Sequence, residues 1–162
     1  DTWSPEKYLE SLTAKSYDWS TINAKRQVEL EADLEDAETL PGIRELISQL
    51  IADGKKIAVV SSSSHRWVDM WLERLDLIST IQEVVCRGDA PKIKPAPDLY
   101  REAVKRLGLE SSECIVLEDS LNGVKAAIAA HCPVIAVPSR LTNCLDLSMA
   151  DAEVSNFRHL LK

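Results

Sequence analysis

Two acidic residues, Glu118 and Asp119, stand side by side where the apolar run Cys114-Ile115-Val116-Leu117 ends. Adjacent carboxylates repel each other and resist burial. A divalent cation makes their closeness favourable. The hard, oxygen-seeking Mg²⁺, which keeps several waters, suits such a pair. A local explanation stands beside this one: Asp119 or Ser120 caps the next helix and Glu118 faces solvent. Capping and metal binding are compatible here. Gly123 allows close backbone approach near the pair, and Asn122 either hydrogen-bonds a ligand or shapes the turn.

Four consecutive serines, Ser61 to Ser64, follow a second apolar run, Ile57 to Val60. Hydroxyls and backbone N–H groups at a helix start make a natural anion site. Plain helix capping is the alternative. His65 opens that helix, where it could touch a phosphate or a substrate. A third polar stretch, Lys92-Ile93-Lys94-Pro95-Ala96-Pro97-Asp98, holds Lys94. Pro95 and Pro97 are expected to keep this loop extended, so that Lys94 reaches a pocket as a point charge on phosphate. A solvated lysine is the alternative, and Lys92 competes for the same role.

The elements that must position these groups are legible in the pattern. Ser4-Pro5-Glu6 is a helix-start signal, with a short helix to about Ala14. A longer polar helix runs from Ser20 to about Asp36, and Leu40-Pro41-Gly42 then punctuates the chain. The domain boundary is placed there, giving a small helical layer over residues 1–40 and a core over 41–162. Ile43, Leu46, Ile47, Leu50 and Ile51 follow helical spacing up to Gly54. Beyond them, short apolar runs at 57–60, 83–86, 114–118 and 133–137 alternate with helical stretches at 65–75, 97–108 and 120–130. A terminal helix is expected around Phe157 to Leu161. Continuous apolar strands between helices indicate an α/β fold with a parallel sheet covered by helices. In such sheets ligands bind beyond the carboxyl ends of the strands. Those ends are Ser61–Ser64, the Gly88–Lys94 loop, Glu118–Ser120 and Pro138-Ser139.

The totals agree with a globular protein: 162 residues, 45% hydrophobic and 28% charged. A net charge of −7 argues against a nucleic-acid partner, yet leaves room for a locally positive phosphate pocket. No apolar run reaches the length of a membrane span and no export signal is visible, so a cytoplasmic, membrane-free protein is expected. Cys86, Cys114, Cys132 and Cys144 form no Cys-x-x-Cys pair. Reduced thiols are expected, with Cys86 and Cys114 behaving as buried small hydrophobes. Trp67 and Trp71, at helical spacing, are expected to pack.

Taken in order, Ala58–Ser64, Lys92–Tyr100 and Val116–Ala130 resemble motifs two, three and four of the haloacid dehalogenase (HAD) superfamily. The resemblance is to its β-phosphoglucomutase-like and CbbY-like group, whose members carry a helical cap. It covers residues 41–138 well and the whole chain loosely. It implies a three-layer, Rossmann-like core, with the first 40 or so residues as the remnant of a cap. It also implies roles. Ser61, flanked by Ser62 and Ser63, binds the transferring phosphoryl group. Lys94 balances charge between the phosphoryl oxygens and the nucleophile. Glu118 and Asp119 hold Mg²⁺. The sequence departs from the pattern at Ile93, where Gly usually precedes the motif-three Lys-Pro, and at His131, where the helix end calls for a left-handed backbone that histidine tolerates.

The first motif of the family, an Asp-x-Asp at the end of the central strand, supplies its nucleophile and its general acid/base. Neither this motif nor its strand is found: Asp33–Asp36 sits in a polar helical stretch and Asp1 follows nothing. The central first strand is therefore expected to be absent, leaving two apolar strands with unpaired edges. Either those strands close up, or a separate piece fills the slot, or the chain belongs to a longer protein; the last is favoured. In an intact protein the expected activity is Mg²⁺-dependent phosphatase chemistry on a small phosphorylated metabolite, through an aspartyl-phosphate. Alternatives are a phosphomutase of the β-phosphoglucomutase type, or an inactive phosphate- or protein-binding module. Exposed strand edges also raise the expectation of self-association.

Overall fold

The computed structural model of the chain describes residues 4–161, the side chains at positions 31 and 33 excepted; Asp1 lies outside them. Two compact units follow one another, divided between Glu38 and Thr39. The first holds α1 (Pro5–Thr13) and α2 (Trp19–Asp33). Ser4 caps α1, its hydroxyl accepting from the Lys7 N–H at 3.3 Å, and Ala14 ends it at a left-handed φ of 52°. Asp18 caps α2 by accepting from the Thr21 N–H at 3.1 Å. Glu10 ties the helices together, its carboxylate accepting from Trp19 Nε1 at 2.8 Å.

The second unit alternates helix and strand. In chain order it contains α3 (Ile43–Ala52), β1 (Ala58–Val60), α4 (His65–Arg74), β2 (Glu83–Val85), α5 (Asp98–Leu107), β3 (Val116–Glu118), α6 (Leu121–Ala129), β4 (Val134–Ala136) and β5 (Ala152–Glu153). All ladders are parallel. β1 pairs with β2, Val60 opposite Val85; β3 pairs with β4, Glu118 opposite Ala136; and β5 adds to the other side of β4. β1 and β3 thus belong to different sheets, so the two strands that lead into the serines and the paired carboxylates do not close up on each other.

Side-chain size explains the packing. Leu99 and Ala103, one turn apart on α5, are buried with Val85 of β2. The small residues Ala126, Ala127 and Ala130 bring α6 and its C-terminal end close to Val134 and Ala136 of β4, with Val124 and Leu147 completing that core. A third cluster joins Val68 and Leu72 of α4 to Leu77 and Cys86. Trp67 and Trp71 do pack, edge to face at 5.8 Å between ring centres. Before α3, Gly42 adopts a φ of 92°, and a Cβ there would meet the Arg158 amide nitrogen at 2.7 Å.

Three local expectations are corrected. The loop around Lys94 is not extended: the Ala96 N–H bonds the Ile93 carbonyl at 3.1 Å and closes a turn, and Pro97 sits in helical backbone as the N-cap of α5. The terminal helix is a single 3₁₀ turn, Phe157–Leu160. Cys114 is half-buried, while Cys86 and Cys132 are buried and Cys144 exposed; all four are free thiols. β5 has no counterpart in the sequence reading, because Ala152 and Glu153 are both exposed and show no apolar pattern. His131 does take the left-handed backbone expected of it, with a φ of 62°.

Candidate active site

The ends of β1 and β3 open into one cavity of about 780 Å³. Ser61, Ser62 and Ser63, Lys94, Glu118, Asp119, Ser120 and Asn122 line it, against an apolar background that includes Val60, Leu117 and Val137. Four stretches that are far apart in sequence therefore meet, because parallel strands deliver their carboxyl ends to the same rim.

The serines form a shaped loop. Ser61 Oγ accepts from the Ser63 N–H at 3.1 Å, and the Ser61 N–H bonds the Val85 carbonyl at 2.9 Å. Ser64 occupies the N-cap of α4 without a side-chain capping bond. Capping by hydroxyl therefore does not explain this serine run. Lys94, not Lys92, reaches the cavity. Its ammonium donates to the Val60 carbonyl at 2.9 Å and pairs with Glu118 Oε1.

Glu118 is the buried charged residue among those described, 8% exposed. Oε1 accepts from Lys94 and from the Tyr100 hydroxyl at 2.5 Å; Oε2 accepts from the Ser120 hydroxyl at 3.0 Å. Ser120 also caps α6, its Oγ accepting from the Gly123 N–H at 3.0 Å, so the cap is Ser120 and not Asp119. Gly123 is needed by close approach: a Cβ there would overlap the Glu118 carboxylate. Asp119 is exposed at the cavity. Tyr100 was missed from sequence. Its ring lies 4.8 Å from the Lys94 ammonium, and its hydroxyl is buried in an otherwise apolar helix face, the one signal that could have singled it out. Burial, then the Glu118 charge, drives its phenol well above the ordinary range.

His65 does not line the cavity. Its Nε2 meets Asp89 Oδ2 at 2.7 Å and its Nδ1 lies 3.5 Å from Asp69. Among the described residues no cluster of three or more His, Cys, Asp or Glu is gathered for a metal. What the cavity does offer is Asp119 and Glu118, two hard carboxylates with no thiol or imidazole among the residues that line it. That set fits Mg²⁺, which binds through one or two carboxylates, water and a ligand's phosphate.

The haloacid dehalogenase-like hydrolase family matches residues 4–137. The chain belongs to this family. Its curated relatives include CbbY and CbbY-like proteins. Protein CbbY of Rhodobacter capsulatus is 35% identical over 141 residues, 85% of this chain and 62% of that protein. Hexitol phosphatase B of Escherichia coli is 30% identical over 122 residues, 75% of this chain and 55% of that protein. The chain thus spans less than two thirds of these curated relatives. The fold is shared with a solved CbbY from Rhodobacter sphaeroides in complex with phosphate, at a TM-score of 0.78 and 24% identity, over 99% of this chain and 81% of that one. A β-phosphoglucomutase from Clostridium difficile overlays at a TM-score of 0.71 and 22% identity, over 97% of this chain and 73% of that one. The core is accordingly the Rossmann-like α/β core of the HAD fold. Among the described residues no helix is long and apolar enough to cross a membrane.

Proposed function

We propose that this chain carries the phosphate- and metal-binding part of a Mg²⁺-dependent phosphatase that acts on a small phosphorylated metabolite. One observation supports the reading above the rest: Ser61–Ser63, Lys94 and Asp119 share a single cavity at the strand ends. The serine hydroxyls and loop amides would receive the equatorial phosphoryl oxygens, and Lys94 would balance their charge. Asp119 and Glu118 would hold Mg²⁺, which when bound neutralises charge on the phosphoryl group. Glu118 serves Lys94 at the same time, since its two oxygens are divided between the lysine side and the Ser120 side.

Turnover through an aspartyl-phosphate needs an aspartate beside the phosphoryl site, and no Asp-x-Asp follows an apolar strand in this sequence. A second reading, for this chain taken by itself, is a phosphate-binding module without turnover. A panel of sugar phosphates and other phosphate esters separates the two, assayed with and without Mg²⁺ in this chain and in any longer natural product that contains it. Mg²⁺-dependent phosphate release, lost in Lys94→Ala, supports the phosphatase. Phosphate binding without release in both proteins supports the module. Neither binding nor release overturns both.

A further inference from the structure

We infer that Asp89, acting through His65, is a positioning residue that holds the serine loop in the shape needed to receive phosphate. The inference rests on reading Ser61–Ser64 as the phosphate site. Asp89 lies in the turn that follows β2. Its Oδ2 accepts from the Cys86 N–H at 2.7 Å, which closes that turn, and meets His65 Nε2 at 2.7 Å. Arg106 of α5 steadies the other oxygen at 3.3 Å. His65 is the first residue of α4, directly after the four serines. The carboxylate therefore ties the end of the loop to a turn 24 residues away.

The same turn holds the loop along its length. The Arg87 side chain donates to the Ser62 carbonyl at 3.0 Å, and the Arg87 N–H donates to the Ser63 carbonyl at 2.9 Å. In a planar trans peptide the next N–H points opposite to the carbonyl. Fixing these two carbonyls on Arg87 therefore turns the Ser63 and Ser64 amides away from Arg87, which does not line the cavity as Ser61–Ser63 do. Neither His65 nor Asp89 lines it, so both act through the loop.

The contact also depends on charge. Asp89, by hydrogen bond first, raises the His65 pKa above its ordinary value. The groups facing the pair are Asp69 on α4, Arg87 in the turn, and Arg106 with its partner Glu102 on α5. The nearby Cys86 thiol is pushed up to about 11, chiefly by burial, and stays neutral. The charged strap is complete below the raised pKa of His65 and weakens as pH rises through it.

Sulfate, a phosphate isostere whose charge is constant across this range, is the probe; its affinity is measured by titration calorimetry between about pH 5 and 8. The unaltered chain should bind sulfate more weakly as pH rises. Asp89→Asn keeps an acceptor for the Cys86 N–H but loses the charge, and should weaken binding by about tenfold or more, with its pH dependence moved to lower pH. His65→Gln should show a similar loss with a flat profile, a signature that general loosening of the fold would not give. Wild-type affinity and an unchanged profile in both variants overturn the inference. Lys94→Ala, or Ser61→Ala where that variant does not fold, separates this failure from a deeper one. If those variants lose sulfate while Asp89→Asn and His65→Gln keep it, only the positioning role falls. If they too bind normally, or if the unaltered chain binds no sulfate, the phosphate site itself is misplaced.

Discussion

Lys94 and Glu118 form a buried ion pair, their side chains only 11% and 7% exposed. From the sequence one is expected on phosphate and the other on metal; the structure engages them with each other. The pair has further support, because the Val60 carbonyl takes a second Lys94 proton and the Tyr100 and Ser120 hydroxyls donate to Glu118. A buried pair satisfied in this way is costly to break from one side, since the survivor stays charged in a poorly solvated place. Lys94→Met should therefore destabilise the chain by about 3 kcal/mol in urea denaturation. Lys94→Met combined with Glu118→Gln should cost less than the sum of the two single changes. Additive losses would mean that the two side chains do not interact.

Gly123 makes a sharper steric prediction. In an open helix interior Gly→Ala gains about 1 kcal/mol. Here the added methyl would overlap the Glu118 carboxylate, which is held from three sides and has nowhere to retreat. Overpacking of this kind costs about 1–3 kcal/mol, so Gly123→Ala should lower the melting temperature instead of raising it. A stabilised variant would show that Glu118 is free to move.

What the sequence made legible, and what it hid, follows from the same physics. Ser61–Ser63, Lys94, Glu118 and Asp119 are legible at strand ends, and all line one cavity, because parallel strands converge there whatever the details of packing. Helix spans were readable from apolar spacing and from caps such as Ser4 and Ser120. Side-chain direction was not. His65 sits beside the serines in sequence but turns to Asp89 and Asp69, whose positions depend on the tertiary fold. Tyr100 hides within an apolar stripe with Leu99 and Ala103, where an aromatic ring reads as core. The two-residue β5 is chosen by its pairing with β4, not by its own residues.

Tyr100 gives a prediction in alkaline solution. Its phenol is kept protonated by burial and by the Glu118 carboxylate, so its folded pKa lies above the unfolded value of about 10. A raised pKa of this sign contributes stability that is fully present below about pH 10 and is lost as pH rises beyond it. Ultraviolet titration should thus show one tyrosine that ionises only as the chain unfolds. Tyr100→Phe should abolish that late step and, at neutral pH, cost about 1.5–3 kcal/mol for the lost hydrogen bond to a charged acceptor. Three tyrosines titrating together in the folded chain would contradict the buried contact.

The two neighbouring acids should separate by what they lose. Asp119 is exposed and, among the described residues, no side-chain hydrogen bond fixes it, so Asp119→Asn should change stability by no more than about 0.5 kcal/mol. If it is a metal donor, the same change should weaken Mg²⁺ binding, read by calorimetry with Mg²⁺ alone, by about tenfold or more. Glu118→Gln should behave differently. It leaves Lys94 buried without its counter-charge, so stability should fall by about 3 kcal/mol in the absence of any metal. If the pair held no metal, Asp119→Asn would change neither stability nor Mg²⁺ binding, because Ser120 already caps α6, while Glu118→Gln would still cost stability through Lys94. The decisive comparison is therefore Asp119→Asn: a stable chain with lost Mg²⁺ affinity assigns this carboxylate to the metal, and a stable chain with unchanged affinity removes it from the site.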